Sequence, residues 1–287
     1  MTTYDRGQDD VGNLIALEHV NLAIPDQQLA TAFYIAGLGF TRDPFLFPGL
    51  ENMWINIGRS QCHLPSRGTQ RLRGVIGIVV PDLKKLALRL EKTAPRLTAT
   101  QFAFTQHADR VDAVCPWGNR FRCHAPSARF GTMELGMPYV EFDVPPGSAD
   151  GIARFYREVL GARATLEQHG AAAVASVSSG PEQKLLFRET GAALPDYDNH
   201  HIQIYIADFS GPHAALLQRG LITEESNAHQ YRFRDIVDPA NGNLLYTVEH
   251  EVRSLLNPLY ARPLINRNPD QTNNAYIRGQ DAFRGTC

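Results

Sequence analysis

Acidic, histidine and tyrosine side chains lie on segments that alternate polar and apolar residues, as half-buried β-strands do. Because side chains two residues apart on a strand share a face, each segment carries one row of inward-facing groups. The three rows are Tyr139 and Glu141; His201 and Gln203; and Tyr246, Val248 and His250. Glu141 and His201 are a candidate general acid and base, with the tyrosine hydroxyls to orient a substrate oxygen. The alternative is a satisfied polar network at the open end of a sheet.

Four similar segments must position these groups. Each alternates, ends at a turn that in most cases contains Pro or Asp, and is followed by a pattern typical of a helix. The strand-like segments are His19–Asp26, Val75–Asp82, Tyr139–Pro146 and His201–Asp208. Matching turns end at Asn119 and Asn243, and each leads into a last strand. The repeat predicts four β-α-β-β-β units in two pairs.

This pattern resembles the vicinal oxygen chelate superfamily, which includes glyoxalases, bleomycin-resistance proteins and extradiol dioxygenases. The resemblance covers roughly residues 14 to 250 and depends on HVNLAIPD, the FY helix followed by LGF, QCHLP, CPWGNRF and DPANGNLLY. It implies an α+β fold in which four βαβββ modules pair into two open, cup-shaped mixed β-sheet domains with helices outside. We expect a first cup over 14–130, a second over 136–250, and an extension over 251–287 that packs on the body or on a partner subunit.

In that superfamily a cup can hold one divalent metal on the first residue of each opening strand and on a residue of each last strand. In the first cup the corresponding residues are His19, Val75, His63 and Arg122. A firm site needs about three protein ligands. His124, on the same face as Arg122, completes a His19, His63 and His124 set if the closing strand is shifted. Gln61 is a weaker candidate, and Fe, Mn or Zn is the implied cofactor.

The second cup offers fewer ligands under the same resemblance. The corresponding residues are Tyr139, Leu185, His201 and Tyr246, and the Glu expected after each Gly-Asn turn is missing. A Glu141, His201 and His250 metal set is an alternative, as is metal-free acid–base chemistry with Glu141, His201, Tyr139 and Tyr246 as the catalytic groups. A further alternative is that His19 and His63 are ordinary polar residues and that Arg122 supplies a cation in place of a metal.

Composition narrows the function classes. The chain has 287 residues, with 28 basic and 30 acidic side chains, which is typical of a globular protein without a nucleic-acid-binding field. No apolar stretch approaches the roughly 20 residues that cross a bilayer, so we expect no membrane partner. The polar N-terminal segment and four scattered cysteines, including Cys287, favour a cytoplasmic protein with reduced thiols. Motifs of nucleotide-binding proteins and serine hydrolases are missing.

Three functions remain. The first is a dioxygenase-like enzyme that acts on a small oxygen-bearing organic substrate, since the two-cup layout is that of the extradiol enzymes. The second is a glyoxalase- or epimerase-like lyase or isomerase. The third is a metal-free binding protein of the resistance type. Apolar residues of the extension, such as Leu259 and Tyr260, favour docking on the body or a homodimer contact.

Overall fold

The chain forms four consecutive βαβββ units in a computed structural model that describes residues 4–46 and 49–280. Unit 1 comprises β1 (Leu14–Asn21), α1 (Gln27–Ala30), β2 (Thr41–Arg42), β3 (Asn52–Ile57) and β4 (Ser60–Pro65), and α1 continues as a π-helix over Thr31–Gly37. Unit 2 comprises β5 (Gly74–Val79), α2 (Leu83–Thr93), β6 (Ala103–Gln106), β7 (Arg110–Val114) and β8 (Arg120–His124).

The second half repeats this order. Unit 3 comprises β9 (Gly136–Val144), α3 (Ala149–Glu158), β10 (Ala164–His169), β11 (Ala172–Ser178) and β12 (Lys184–Glu189). Unit 4 comprises β13 (His201–Ile206), α4 (Ser210–Gln218), β14 (Ile222–Asn227), β15 (Gln230–Val237) and β16 (Leu244–Ser254). Short 3₁₀ helices cover Arg6–Asp9, Ala94–Arg96 and Ala128–Phe130. The predicted α+β class and the four-unit architecture are confirmed.

The units pair differently from our expectation. Sheet 1 has the order β14-β15-β16-β13-β1-β4-β3-β2, so it joins unit 4 to unit 1. Sheet 2 has the order β10-β11-β12-β9-β5-β8-β7-β6, so it joins unit 3 to unit 2. The expected cups over 14–130 and 136–250 would each have combined two consecutive units. That pairing is wrong, because each sheet combines one unit from each half of the chain. Alternation along a strand identifies its buried face but does not determine which strand pairs with its free edge.

The helices and the apolar faces of both sheets share one core. Phe33, from the π-helical turn of unit 1, contacts Phe121 of β8 with ring centroids 5.6 Å apart. Asp26 and Asp82 begin α1 and α2 by accepting hydrogen bonds from backbone N–H groups of the first turn. Each sheet therefore turns its alternate, more polar residues away from this core, and we call that side the inner face.

A buried histidine is part of this core. His250, on β16, is fully buried, stacks on Phe233 with centroids 4.3 Å apart, and accepts a 2.5 Å hydrogen bond from the hydroxyl of Tyr156. Its Nδ1 donates to the carbonyl oxygen of Val248. Burial lowers the pKa of His250 to about 3. The ring is therefore neutral at ordinary pH, and its role is structural.

The segment after β16 returns across unit 1. Arg262 donates to the carboxylate of Asp43, and the amide of Asn266 bonds the backbone of Gly58. The amide of Asn56 donates to the carbonyl oxygen of Ile265. This strap, residues 255–268, thus lies along the β2–β3–β4 side of sheet 1. The three cysteines among the described residues are buried and free, and Cys287 lies outside those residues.

Among the helices that the structure describes, none has the length and apolar character needed to span a bilayer.

Gly74 tests the pairing of unit 2 with unit 3. A Cβ atom at Gly74 would lie 1.8 Å from the carbonyl oxygen of Glu141 on β9. We expect Gly74→Ala to lower the free energy of unfolding by about 1–3 kcal/mol, because the two strands must separate locally. Gly68→Ala is the control, since nothing lies within 4 Å of its Cβ position. Urea denaturation measures both, and equal stability would contradict the β5–β9 contact.

His250 gives a test by pH. Above pH 6.5 neither state binds a proton at this ring; as the pH falls from 6.5 toward 3, the unfolded chain binds one and the native protein does not. The wild type should therefore lose about 1.4 kcal/mol more stability per pH unit than His250→Gln, which keeps an acceptor for Tyr156. Denaturation at several pH values measures the two slopes. Parallel slopes would show that His250 becomes protonated in the native protein.

Candidate metal centre

The two opening strands of sheet 1 place residues from the ends of the repeat side by side. β1 and β13 pair antiparallel, so that His19 lies opposite Gln203 and Asn21 lies opposite His201. This register is symmetric: a two-fold rotation that exchanges β1 and β13 places the pair of His19 and Gln203 on the pair of His201 and Asn21. His19 and His201 therefore occupy equivalent positions on the inner face, although they belong to the first and last units.

Three imidazoles converge there. Ligand nitrogens of His19, His63 and His201 all lie within 4.8 Å of one another. His19 and His201 are buried, and His63 stacks on Trp54 with ring centroids 3.9 Å apart. Within the described part of the chain, the Nε2 atoms of all three rings are buried and without a hydrogen-bond partner. Buried polar atoms are normally paired, so three neighbouring imidazoles with unpaired nitrogens make a candidate ligand position.

Symmetry identifies a fourth position. His63 lies beside Asn21 on β4, and Glu251 lies beside Gln203 on β16. Since Asn21 and Gln203 are equivalent, so are His63 and Glu251. A carboxylate oxygen of Glu251 lies 3.6 Å from Nε2 of His201, and the side chain is 4% exposed. The inner face thus offers three imidazoles and one carboxylate, one from each opening strand and each closing strand.

Ion pairs surround the imidazoles. Arg232 binds Glu249 and Glu251, and Arg253 binds Glu251 and Glu18. The hydroxyl of Tyr205 donates to Glu18 over 3.1 Å. Burial raises the pKa of Glu18 and of Glu251, and Arg253 opposes the rise in both. This network fixes three carboxylates that would otherwise be costly to bury.

The imidazoles are held neutral. Burial lowers the pKa of His63 to about 2, and burial together with nearby arginines lowers the pKa of His19 and His201 well below its usual value. Neutral imidazole is the form that binds metal.

A β-bulge orients His19. The pairing of β1 with β13 shifts between Leu17 and His19, and the bulge brings Glu18 to the same side as its neighbour. A carboxylate oxygen of Glu18 lies 3.2 Å from Nδ1 of His19. Nδ1 therefore carries the proton, and Nε2 keeps its lone pair toward the cluster. Carboxylates in this position commonly orient metal-binding histidines.

His124 does not join this cluster. It lies on β8 of sheet 2, where its Nε2 is 2.9 Å from the hydroxyl of Tyr139. His201 takes the third position instead, because unit 1 pairs with unit 4. Gln61 is on the inner face, but its amide donates to Asn56 and Asp43.

The expected catalytic set is divided between the two sheets. Tyr139 and Glu141 lie on β9 of sheet 2, where Glu141 pairs with Arg188, while His201 lies on sheet 1. Tyr246 packs in the core against Phe142, as His250 does against Phe233. The row of Tyr246, Val248 and His250 therefore faces the core. Glu249 and Glu251 form the inner row, so the predicted row was displaced by one residue.

Sequence reasoning missed Glu251 and Glu249. The signal was present, because Tyr246 and Val248 give one row of β16 an apolar character, whereas Glu249, Glu251 and Arg253 give the other row three charged side chains. Glu18 could not be predicted, since it reaches the inner face only through the bulge.

Sheet 2 has no comparable cluster at the equivalent positions. These are Val75, Arg122, Tyr139 and Leu186. Phe130 and Met133, from the segment between units 2 and 3, pack there against Tyr139, Leu186, Val79 and Val174. Arg122 lies 3.4 Å from Asp112. Apolar side chains of the chain itself thus cover part of the inner face of sheet 2, next to a cavity of about 990 Å³ that Tyr139 and Leu186 also line.

The donor set of sheet 1 fits a divalent transition metal. Three neutral imidazoles with a carboxylate beside them suit zinc, iron or manganese, and a ligand nitrogen of each ring lies within 4.8 Å of those of the other two.

No model of a known protein family matches the chain. A 52-residue segment is 42% identical to 4-hydroxyphenylpyruvate dioxygenase of Caenorhabditis briggsae. The matched segment covers 18% of this chain and 13% of that relative.

Solved structures match over most of the chain. Glyoxalase I from Zea mays superimposes with a TM-score of 0.57 at 14% identity, covering 88% of this chain and 95% of the maize protein. A putative dioxygenase from Bacillus subtilis gives a TM-score of 0.55 at 14% identity, covering 84% and 86%. With its four βαβββ units in two mixed sheets, this chain shares the fold of these two solved structures, which is the fold expected from its resemblance to the vicinal oxygen chelate superfamily.

Proposed function

We propose that the chain is a metal-dependent enzyme that acts on a small oxygen-bearing organic molecule at the inner face of sheet 1. The observation that supports this most directly is the cluster of His19, His63 and His201, whose Nε2 atoms are buried and unpaired. A divalent ion held there would supply Lewis-acid chemistry, and a redox-active ion would also supply oxygen chemistry. The metal ligands are then His19, His63, His201 and Glu251.

The chain's own residues have separate roles in this proposal. Glu18 holds the proton on Nδ1 of His19, and Arg253 keeps Glu18 in place. Glu249 lies 3.4 Å from Nδ1 of His201 and orients that ring in the same way. Trp54 covers His63 and excludes water from one side of the cluster.

We favour a dioxygenase among the enzyme classes. Imidazoles combined with a carboxylate are typical of non-haem iron oxygenases, and the relative matched over 52 residues is named a dioxygenase. A glyoxalase-like lyase or isomerase is the second candidate, because the maize glyoxalase I structure covers most of both chains. Zinc or nickel in the purified protein would favour the second candidate, and iron or manganese the first.

The first test is elemental analysis of untagged protein purified without added metal. We expect about one equivalent of metal in the wild type. His19→Ala, His63→Ala and His201→Ala should lose it, because each removes one of the converging imidazoles. His124→Ala is the matched control and should keep the metal, since His124 lies on sheet 2.

Two outcomes would contradict this assignment. Metal lost in His124→Ala but kept in His201→Ala would restore a site within the first half of the chain. A wild type that holds no metal after loading with Fe²⁺, Mn²⁺ or Zn²⁺ would leave a metal-free binding protein as the better proposal. With iron bound, oxygen uptake on 4-hydroxyphenylpyruvate and on catechols tests the dioxygenase.

Glu251→Gln tests the fourth ligand. Substitutions of residues that support metal ligands without binding the metal typically lower the metal affinity about 10–100-fold. We expect Glu251→Gln to lower it by more than that. The reason is that the amide has lost the charge that offsets the ion. Glu224→Gln is the control, because Glu224 also faces Arg232 but its side chain is 56% exposed. Competition with a chelator measures both, and a loss below tenfold would show that Glu251 only pairs with the arginines.

A further inference from the structure

We propose that the Gln203 amide binds the substrate of this site: it hydrogen-bonds a singly charged organic anion beside the histidine cluster. The proposal rests on the proposed function, because the anion is held by the same metal.

Gln203 is fully buried, and neither atom of its side-chain amide has a hydrogen-bond partner among the described residues. An amide buried in this way destabilises the folded protein unless something pairs with it. Gln61, the neighbouring glutamine on the inner face, donates from its amide nitrogen to Asn56 and Asp43. The difference between the two amides indicates that Gln203 is reserved for a ligand.

The register places this amide beside the metal ligands. Gln203 lies opposite His19 on β1 and beside Glu251 on β16, and it is two residues from His201 on its own strand. A molecule bound to the ion can therefore contact Gln203 without leaving the cluster.

Two further unpaired atoms define what the ligand must offer. Nε1 of Trp54 and Oδ1 of Asn21 are buried without partners among the described residues. Trp54 can only donate and Asn21 Oδ1 can only accept, while the Gln203 amide can do both. The complementary ligand has oxygen acceptors together with at least one O–H or N–H donor.

The charges of the side chains around the site determine the charge that the ligand should carry. Apart from the exposed Glu224 and Arg67, whose charges water screens, three carboxylates, of Glu18, Glu249 and Glu251, face two guanidinium groups, of Arg232 and Arg253. A divalent ion changes the net charge of this cluster from one negative to one positive. A monoanion then neutralises the buried site, whereas a neutral ligand leaves a charge in a dry environment.

The test uses Co²⁺-loaded protein and acetohydroxamate, a small chelator that offers oxygen acceptors and an N–H donor and binds as a monoanion. Gln203→Leu removes both amide atoms at similar volume. We expect this variant to bind Co²⁺ as the wild type does, to bind acetohydroxamate about tenfold more weakly, and to be at least as stable without metal. Gln218→Leu, at an exposed position on α4, is the control and should change neither affinity.

Each result decides the proposal. Equal acetohydroxamate affinity in Gln203→Leu would overturn it, and so would lost Co²⁺, which would make Gln203 a metal ligand. A large loss of stability in the metal-free variant would assign the amide a structural role. Failure of the wild type itself to bind Co²⁺ would refute the proposed function and this proposal with it. Visible absorption, calorimetric titration and thermal unfolding supply the three readouts.

Discussion

The antiparallel pairing of β1 with β13 is the contact on which the candidate site depends. It brings His19, near the start of the repeat, opposite the strand that carries His201. The closing strands then follow in register, so His63 and Glu251 flank the opening strands at equivalent positions. A displacement by one residue would turn His19 and His201 to opposite faces of the sheet. The geometry of the candidate site is therefore a consequence of strand register.

Burying the polar groups of the candidate site costs free energy of folding, and the ion-pair network around the histidines offsets part of that cost. Neutral imidazoles and unpaired amides at the inner face lower the stability of the metal-free protein, because burial denies them water. Arg232 and Arg253 compensate the buried carboxylates of Glu18 and Glu251 and the half-buried one of Glu249, while His250 and the shared core supply ordered packing behind the sheet. Sites that bind ligands commonly keep such unsatisfied groups at the expense of stability.

The sequence predicts the units well and the site only in part. Alternating strands, helix starts at Asp26 and Asp82, and repeated turns are local signals, so four βαβββ units follow from them. The partner of each opening strand is a long-range choice that leaves no local trace, and for that reason His124 was expected where His201 lies. Glu251 was missed through a one-residue error of facing on β16. Glu18 depends on a bulge, which alternation cannot indicate.

The two inner faces show how one fold supports different outcomes. In sheet 2 the equivalent positions hold Val75, Arg122, Tyr139 and Leu186, and Phe130 and Met133 pack over Tyr139 and Leu186. In sheet 1 the strap passes along one side, fixed by Arg262 and Asn266, and buried nitrogens and amides remain unpaired. The apolar side chains that pack on sheet 2 are stabilised by van der Waals contact and need no hydrogen-bond partner. Unpaired polar atoms require a partner, and this difference is the reason that we propose ligand binding at sheet 1.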